Sequence, residues 1–82
     1  MDLVLLTETI IKKIVSDSES VSVKEFESTE DDTVQIEVIV SSDDLGIVIG
    51  KNGRTINSIR TIVQASGNLN GNKRVKINVD SY

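Results

Sequence analysis

The chain contains no cysteine, histidine, proline or tryptophan, and Phe26 and Tyr82 are its only aromatic residues. Without cysteine and histidine there is no disulfide framework, no thiolate or imidazole metal site, no cysteine nucleophile and no serine–histidine pair. The lack of cysteine also fits a reducing compartment. With so few aromatics the core must be aliphatic, and strong stacking platforms for nucleobases are missing. No apolar run approaches the length of a membrane span. The opening "MDLVLLTE" has a short apolar run behind an acid, unlike a signal peptide, so the expected location is the cytoplasm. Eighty-two residues suffice for one small core, so residues 1–82 are expected to form a single domain.

Acidic residues are scarce in one half only. Residues 1–50 carry three basic and twelve acidic side chains, a net of −9. Residues 51–82 carry six basic side chains (Lys51, Arg54, Arg60, Lys73, Arg74, Lys76) against Asp80 alone, a net of +5. The overall charge of −4 therefore hides a segment able to present a positive field to an anion. Ordinary solvated faces also sort charge this way, so the pattern identifies a partner only if something sits at its focus.

Hydrophobic spacing supplies the elements. In residues 2–16, Leu3, Leu6, Ile10 and Ile14 form one helical stripe flanked by Val4, Ile11 and Val15, with Lys12 and Lys13 at the end that suits cations. "VSVKEFES" (21–28) is β-rich, with Phe26 out of phase, which a bulge or frayed end would explain. "TEDD" (29–32) is a polar turn, and "TVQIEVIV" (33–40) alternates Val34, Ile36, Val38 and Val40 against Gln35, Glu37 and Ile39. "SSDD" (41–44) is a helix start in which Ser41 or Ser42 caps and Asp43 and Asp44 favour the dipole. A short helix follows, then Gly50 to Gly53, then helical spacing over 54–66 with Ile56, Ile59 and Val63 inward. Gly67 is expected to stop that helix in a left-handed conformation, with 68–72 as loop. "KRVKINV" (73–79) is a last strand with Val75, Ile77 and Val79 inward. The order is helix, strand, strand, helix, helix, strand. A hairpin followed by a helical crossover predicts a three-stranded mixed sheet with three helices packed on one face, an α+β domain.

Most chemistries fail on spacing. A nucleoside-triphosphate loop needs four residues between its glycines, but three separate Gly46 from Gly50, and Asn52 follows Lys51. A dinucleotide fingerprint would need glycine at Val48. Glu30, Asp31 and Asp32, and Asp43 and Asp44, are carboxylate clusters, but hairpin turns and helix starts explain them better than acid–base work or cation binding. No nucleophile has a plausible base. The chain is not expected to be an enzyme, and no metal or cofactor is expected.

The glycines remain. A bare Gly-x-x-Gly is usually an ordinary connection between helices. Here the second helix should begin with unpaired N–H groups facing the loop, and glycine lets a phosphate approach them closely. Lys51 and Arg54 add charge at the same place and open the basic half of the chain. A loop meant only to turn needs neither.

"GIVIGKNGRTINSIR" resembles the heart of a KH domain, in which an isoleucine precedes a Gly-x-x-Gly loop between two helices. The element order resembles the bacterial, type II arrangement and covers nearly the whole chain. A free-standing domain of this length, with "LVLLTETIIKKIV", "VSVKEFES" and "NKRVKINV", is similar to the small bacterial KhpA family. The resemblance implies single-stranded RNA binding, with Gly50, Lys51, Asn52 and Gly53 as the backbone clamp and Arg54 beside it. Gly46, Ile47 and Ile49 would shape an aliphatic groove, although Gly46 could equally be a small residue where helix meets sheet. Arg74 and Lys76 either extend the positive track or only face solvent. Members of the family often carry a basic residue where this chain has Ile47, so one contact is expected to be missing and affinity to be modest.

The resemblance further implies a role as RNA chaperone or regulator, linked to bacterial cell elongation and division. It also implies an alternative: a protein-interaction module that forms homodimers or pairs with a larger KhpB (Jag)-type KH protein. A single weak clamp would gain avidity from dimerising, and Ile39 is a candidate exposed apolar residue on the sheet.

Overall fold

Asp2 starts the first helix by accepting hydrogen bonds from the N–H groups of Val4 (2.9 Å) and Leu5 (3.3 Å), donors that a helix start leaves unpaired. In the computed structural model, which describes residues 2–26, 28, 32–69 and 71–82, this helix, α1, spans Leu3–Ile14. Lys12 and Lys13 occupy its last turn, as expected. Its buried line is Leu3, Thr7 and Ile11, with Leu6, Ile10 and Ile14 packed beside it. Apolar spacing had pointed to Leu6 and Ile10 as the centre. The threonine is tolerated there because its hydroxyl donates to the Leu3 carbonyl at 2.8 Å and leaves no polar group unsatisfied.

The sheet is built from β1 (Ser22–Phe26), β2 (Thr33–Val40) and β3 (Arg74–Ser81), in that spatial order. β1 pairs antiparallel with β2, and β2 pairs parallel with β3, as the hairpin and crossover required. The register sets Val23 opposite Val38 and Ile36 opposite Ile77, so one face is continuous and aliphatic. The turn residues Thr29, Glu30 and Asp31 lie outside the described residues. Phe26 is not in a bulge: it stays in register with Gln35 and is 48% exposed. It shares the face opposite the core with Lys24, Glu37 and Ile39, which border a shallow depression with it. An out-of-phase aromatic in a strand need only belong to the other face.

After β2 come α2 (Leu45–Ile49), a single 3₁₀ turn over Lys51–Gly53, and α3 (Arg54–Leu69). Ile11, Ile36, Val38, Val40, Val48 and Val63 are fully buried at the centre, an aliphatic core as the composition demanded. Among the described residues no helix is long and apolar enough to cross a membrane.

The C-terminal end of α3 corrects an expectation. Gly67 does not stop the helix; it lies buried inside it, and the left-handed residues are Gly71 (φ 93°) and Asn72 (φ 57°). A β-carbon on Gly67 would come within 2.8 Å of Val75 Cγ2 and 2.9 Å of the Lys73 carbonyl oxygen. The glycine is there for close approach of α3 to β3. Residues 68 and 69, expected as loop, are its last turn, and Asn70 lies outside the described residues.

α3 also satisfies the free edge of β3. Gln64 donates from Nε2 to the Lys73 carbonyl (2.8 Å) and accepts at Oε1 from the Val75 N–H (2.9 Å). Arg60 donates from Nη2 to the Ile77 carbonyl (3.1 Å). Such side-chain bonds occupy edge groups that would otherwise pair with a foreign strand. They also fix α3, and with it the loop at its start.

Candidate nucleic-acid interface

The position of α2 depends on a buried carboxylate. Asp44 is fully buried and accepts four hydrogen bonds: from the Ser16 hydroxyl (2.6 Å) and N–H (3.1 Å), the Asp17 N–H (3.0 Å) and the Ser41 hydroxyl (3.0 Å). Asp44 itself, not Ser41 or Ser42, holds the N-cap position of α2; its side chain makes no capping bond there and instead ties the exit of α1 to the entrance of α2. The Ser16 hydroxyl and N–H, then the Asp17 N–H, stabilise the ionised form against burial and lower its pKa from 3.8 to about 2. A carboxylate so fully bonded has no lone pair to spare for acid–base chemistry.

Beyond α2 the chain turns through Gly50 (φ 75°, ψ 174°), Asn52 (φ 57°, ψ 28°) and Gly53 (φ 75°). All three lie in regions that L-residues avoid, and asparagine is the side chain that tolerates the left-handed one best. The Gly53 N–H bonds to the Gly50 carbonyl (3.2 Å), and the Arg54 N–H bonds to the Lys51 carbonyl. The first donor expected to be free at the start of α3, the Arg54 N–H, is therefore consumed, while the positive φ of Asn52 and Gly53 keeps residues 51–53 a separate tight turn ahead of the helix. The N–H groups of Lys51 and Asn52 make no backbone hydrogen bond among the described residues. Those two donors lie between the glycines, just ahead of α3, whose aligned peptides favour an anion at that end.

The surrounding side chains complete the site. Lys51 and Arg54 are both exposed. On α2, Ile47 is 50% and Ile49 37% exposed, so two aliphatic side chains flank the turn in solvent. Gly46 is exposed too, and a β-carbon on it would meet nothing within 4 Å, so it is not a helix-on-sheet packing glycine. Gly46, Ile47, Ile49, Gly50, Lys51, Asn52, Gly53 and Arg54 are thus brought together.

Arg74 and Lys76 are not. Gly67 packs on Lys73 and Val75, so the start of β3 lies beside the far end of α3, about 20 Å of helical rise from Arg54. That distance applies to Arg74; Lys76 adjoins Ile77, which Arg60 reaches, but both exposed side chains alternate with Val75 and Ile77 and so lie on the sheet face opposite the core. Sequence reasoning missed the tie that Asp44 makes to Ser16 and Asp17, and Gln64 altogether, because their partners are set by packing and leave no periodic trace.

Comparison with known proteins places the family and the fold. The family model described as KhpA/KhpB, KH domain, matches residues 5–79. RNA-binding protein KhpA of Oceanobacillus iheyensis is 39% identical over 74 residues, which is 90% of this chain and 95% of that protein. The protein of the same name from Clostridium acetobutylicum is 38% identical over 74 residues, again 90% and 95%. That from Thermotoga maritima is 42% identical over 60 residues, 73% of this chain and 77% of its own. Among solved structures, Era in complex with MgGDPNP and nucleotides 1506–1542 of 16S ribosomal RNA superposes with a TM-score of 0.72 at 18% identity, over 96% of this chain. This chain spans 29% of that Era chain, and the likeness is one of fold.

Proposed function

This chain belongs to the KhpA/KhpB KH-domain family, and from that premise we propose that it binds single-stranded RNA by seating the phosphodiester backbone on the Gly50–Gly53 turn. The observation that carries the proposal is the pair of N–H groups on Lys51 and Asn52 that no backbone carbonyl uses. Phosphate oxygens accept from these N–H groups, the missing β-carbon of Gly53 permits the close approach, and Lys51 and Arg54 supply countercharge. Ile47 and Ile49, with the open space at Gly46, give the neighbouring bases an aliphatic floor. Arg74 and Lys76 join only if the RNA continues along α3 to the start of β3. Without aromatic stacking, affinity is modest and sequence preference low. A chaperone or regulatory role in RNA metabolism, linked to cell elongation and division, is part of the proposal on the strength of the family alone.

The test is the double variant Lys51→Asp with Asn52→Asp. Both side chains are exposed, so the core is untouched, while two negative charges meet the phosphate. RNA affinity should collapse with the fold intact. Retained affinity would refute the clamp.

A second reading has its own observation: Phe26, 48% exposed, borders with Ile39 a depression on the sheet face that carries neither α1 nor α3 side chains in its lining. That face suits a protein partner, either a second copy or a KhpB (Jag)-type protein. Sedimentation of the parent protein and of Phe26→Lys separates the readings. A parent dimer that binds no RNA and dissociates in Phe26→Lys would favour assembly as the primary role.

A further inference from the structure

Arginine only donates hydrogen bonds, and here that property orients a neighbouring amide. The Arg60 guanidinium is anchored through Nη2 on the Ile77 carbonyl of β3 (3.1 Å) and donates through Nη1 to Asn57 Oδ1 (3.1 Å). An amide nitrogen cannot accept that bond, so Asn57 must present Oδ1 to Arg60 and turn Nδ2 the other way. The other way is toward the loop: Nδ2 lies 3.8 Å from the place a β-carbon on Gly53 would occupy. Asn57 is exposed, and its Nδ2 makes no hydrogen bond among the described residues. An amide held with its acceptor used and its two donors facing a bare glycine is a built donor group.

We propose that Asn57 is a further RNA-contacting residue, donating from Nδ2 to an acceptor oxygen of a nucleotide bordering the Gly50–Gly53 turn, and that Arg60 is its positioning residue. The inference rests on the RNA clamp proposed above and adds a contact outside the Gly-x-x-Gly turn itself. The chemistry recognised is an oxygen acceptor, which a nucleotide offers as phosphate, as ribose hydroxyl or as base carbonyl. Because Oδ1 is occupied, the group favours acceptor edges and gives nothing to a donor. Arg60 acts at a distance from the RNA: without it the amide is free to flip, and half of its orientations would present an oxygen to the phosphate.

The experiment uses labelled octamers of uridine, adenosine and deoxyuridine, read by fluorescence anisotropy. Asn57→Leu removes the donors while keeping the heavy-atom count and branching of the side chain, and without changing charge. It should weaken RNA binding about fivefold to tenfold, the size of one hydrogen bond, with the thermal melt unchanged. Equal loss on all three octamers assigns the phosphate. Loss on both RNAs but not on the deoxy strand assigns the ribose hydroxyl. Loss on the two uracil strands alone assigns the base carbonyl, which adenine lacks.

In the parent protein, the side-chain amide resonances of Asn57 should shift when oligouridine is added. That readout needs no variant to fold. Arg60→Met should weaken RNA binding in the parent and cost nothing further in the Asn57→Leu background. Equal losses in both backgrounds would overturn the positioning role and make Arg60 an independent contact. Unchanged affinity in Asn57→Leu with unmoved amide signals, while the double-aspartate variant loses RNA, would overturn the proposal and leave the clamp standing. Normal binding by the double-aspartate variant would instead mark the clamp itself as the failure.

Discussion

A β-carbon on Gly50 would run into the side chain of Thr55: Oγ1 stands in its place, with Cβ 2.7 Å and the backbone nitrogen 2.9 Å away. The first loop glycine is thus demanded twice, by its backbone angles (φ 75°, ψ 174°) and by the residue that folds over it.

Gly50→Ala should therefore destabilise the domain by about 2–4 kcal/mol, the joint cost of backbone strain and overpacking. Thr55→Ala removes Oγ1 but leaves its β-carbon and backbone nitrogen in contact. In the double variant, denaturant melts should recover only the Oγ1 share of the loss and leave the rest, a coupling a double-mutant cycle reads directly. An alanine at 50 as stable as the parent would contradict the geometry of the turn.

The footprint on RNA should be small. With two to four phosphates neutralised, the log–log salt slope of binding to single strands should be about −1.4 to −2.8. Titrations between low and moderate salt measure it, and removing the charge at Lys51 should make the slope shallower by about 0.7. A much steeper slope would mean that a larger basic surface, reaching Arg74 and Lys76, takes part.

Asp44 sets the acid limb of stability. Its folded-state pKa of about 2 lies below the ordinary 3.8, so the unfolded chain takes up the proton more readily. The stabilisation is complete above the unfolded value and is lost as pH falls from about 4 through about 2. Asp44→Asn places an amide donor against the Ser16, Asp17 and Ser41 donors. It should lower the melting temperature at neutral pH and flatten this acid limb. Thermal melts at a series of pH values check both.

Gly67 and Gly46 should respond oppositely to alanine. At Gly67 the new carbon meets Val75 and the Lys73 carbonyl, and overpacking of that kind costs about 1–3 kcal/mol. At Gly46, on α2 with open space around it, alanine should stabilise by about 0.5–1 kcal/mol through helix propensity. Loss of RNA affinity in the more stable Gly46→Ala protein would show that the space at Gly46 serves the ligand.

How far the chain could be read in advance differed by element. β2 and β3 alternate cleanly, and their inward residues Ile36, Val38 and Ile77 are buried as alternation requires. α1 was found from its period, but its centre was displaced because Thr7 does not register as apolar. The Gly-x-x-Gly turn was legible because glycine, charge and an adjacent helix coincide in six consecutive residues. Its free donors were expected in α3 and are those of Lys51 and Asn52 in the turn itself, since nothing in the composition of residues 50–54 announces a tight turn that bonds the Gly53 and Arg54 N–H groups internally.

Residue order alone determined the order of elements, the aliphatic core, the parallel and antiparallel pairings and the bare basic turn, because period, composition and glycine placement are local properties. Tertiary structure decided that Gly67 packs rather than stops, that Asp44 ties α1 to α2, that Arg74 and Lys76 sit on the sheet face away from the core, and that Arg60 orients Asn57. Each of these depends on the distance between segments far apart in the chain, and such distances are set by packing, which leaves no repeating signature in the residues themselves.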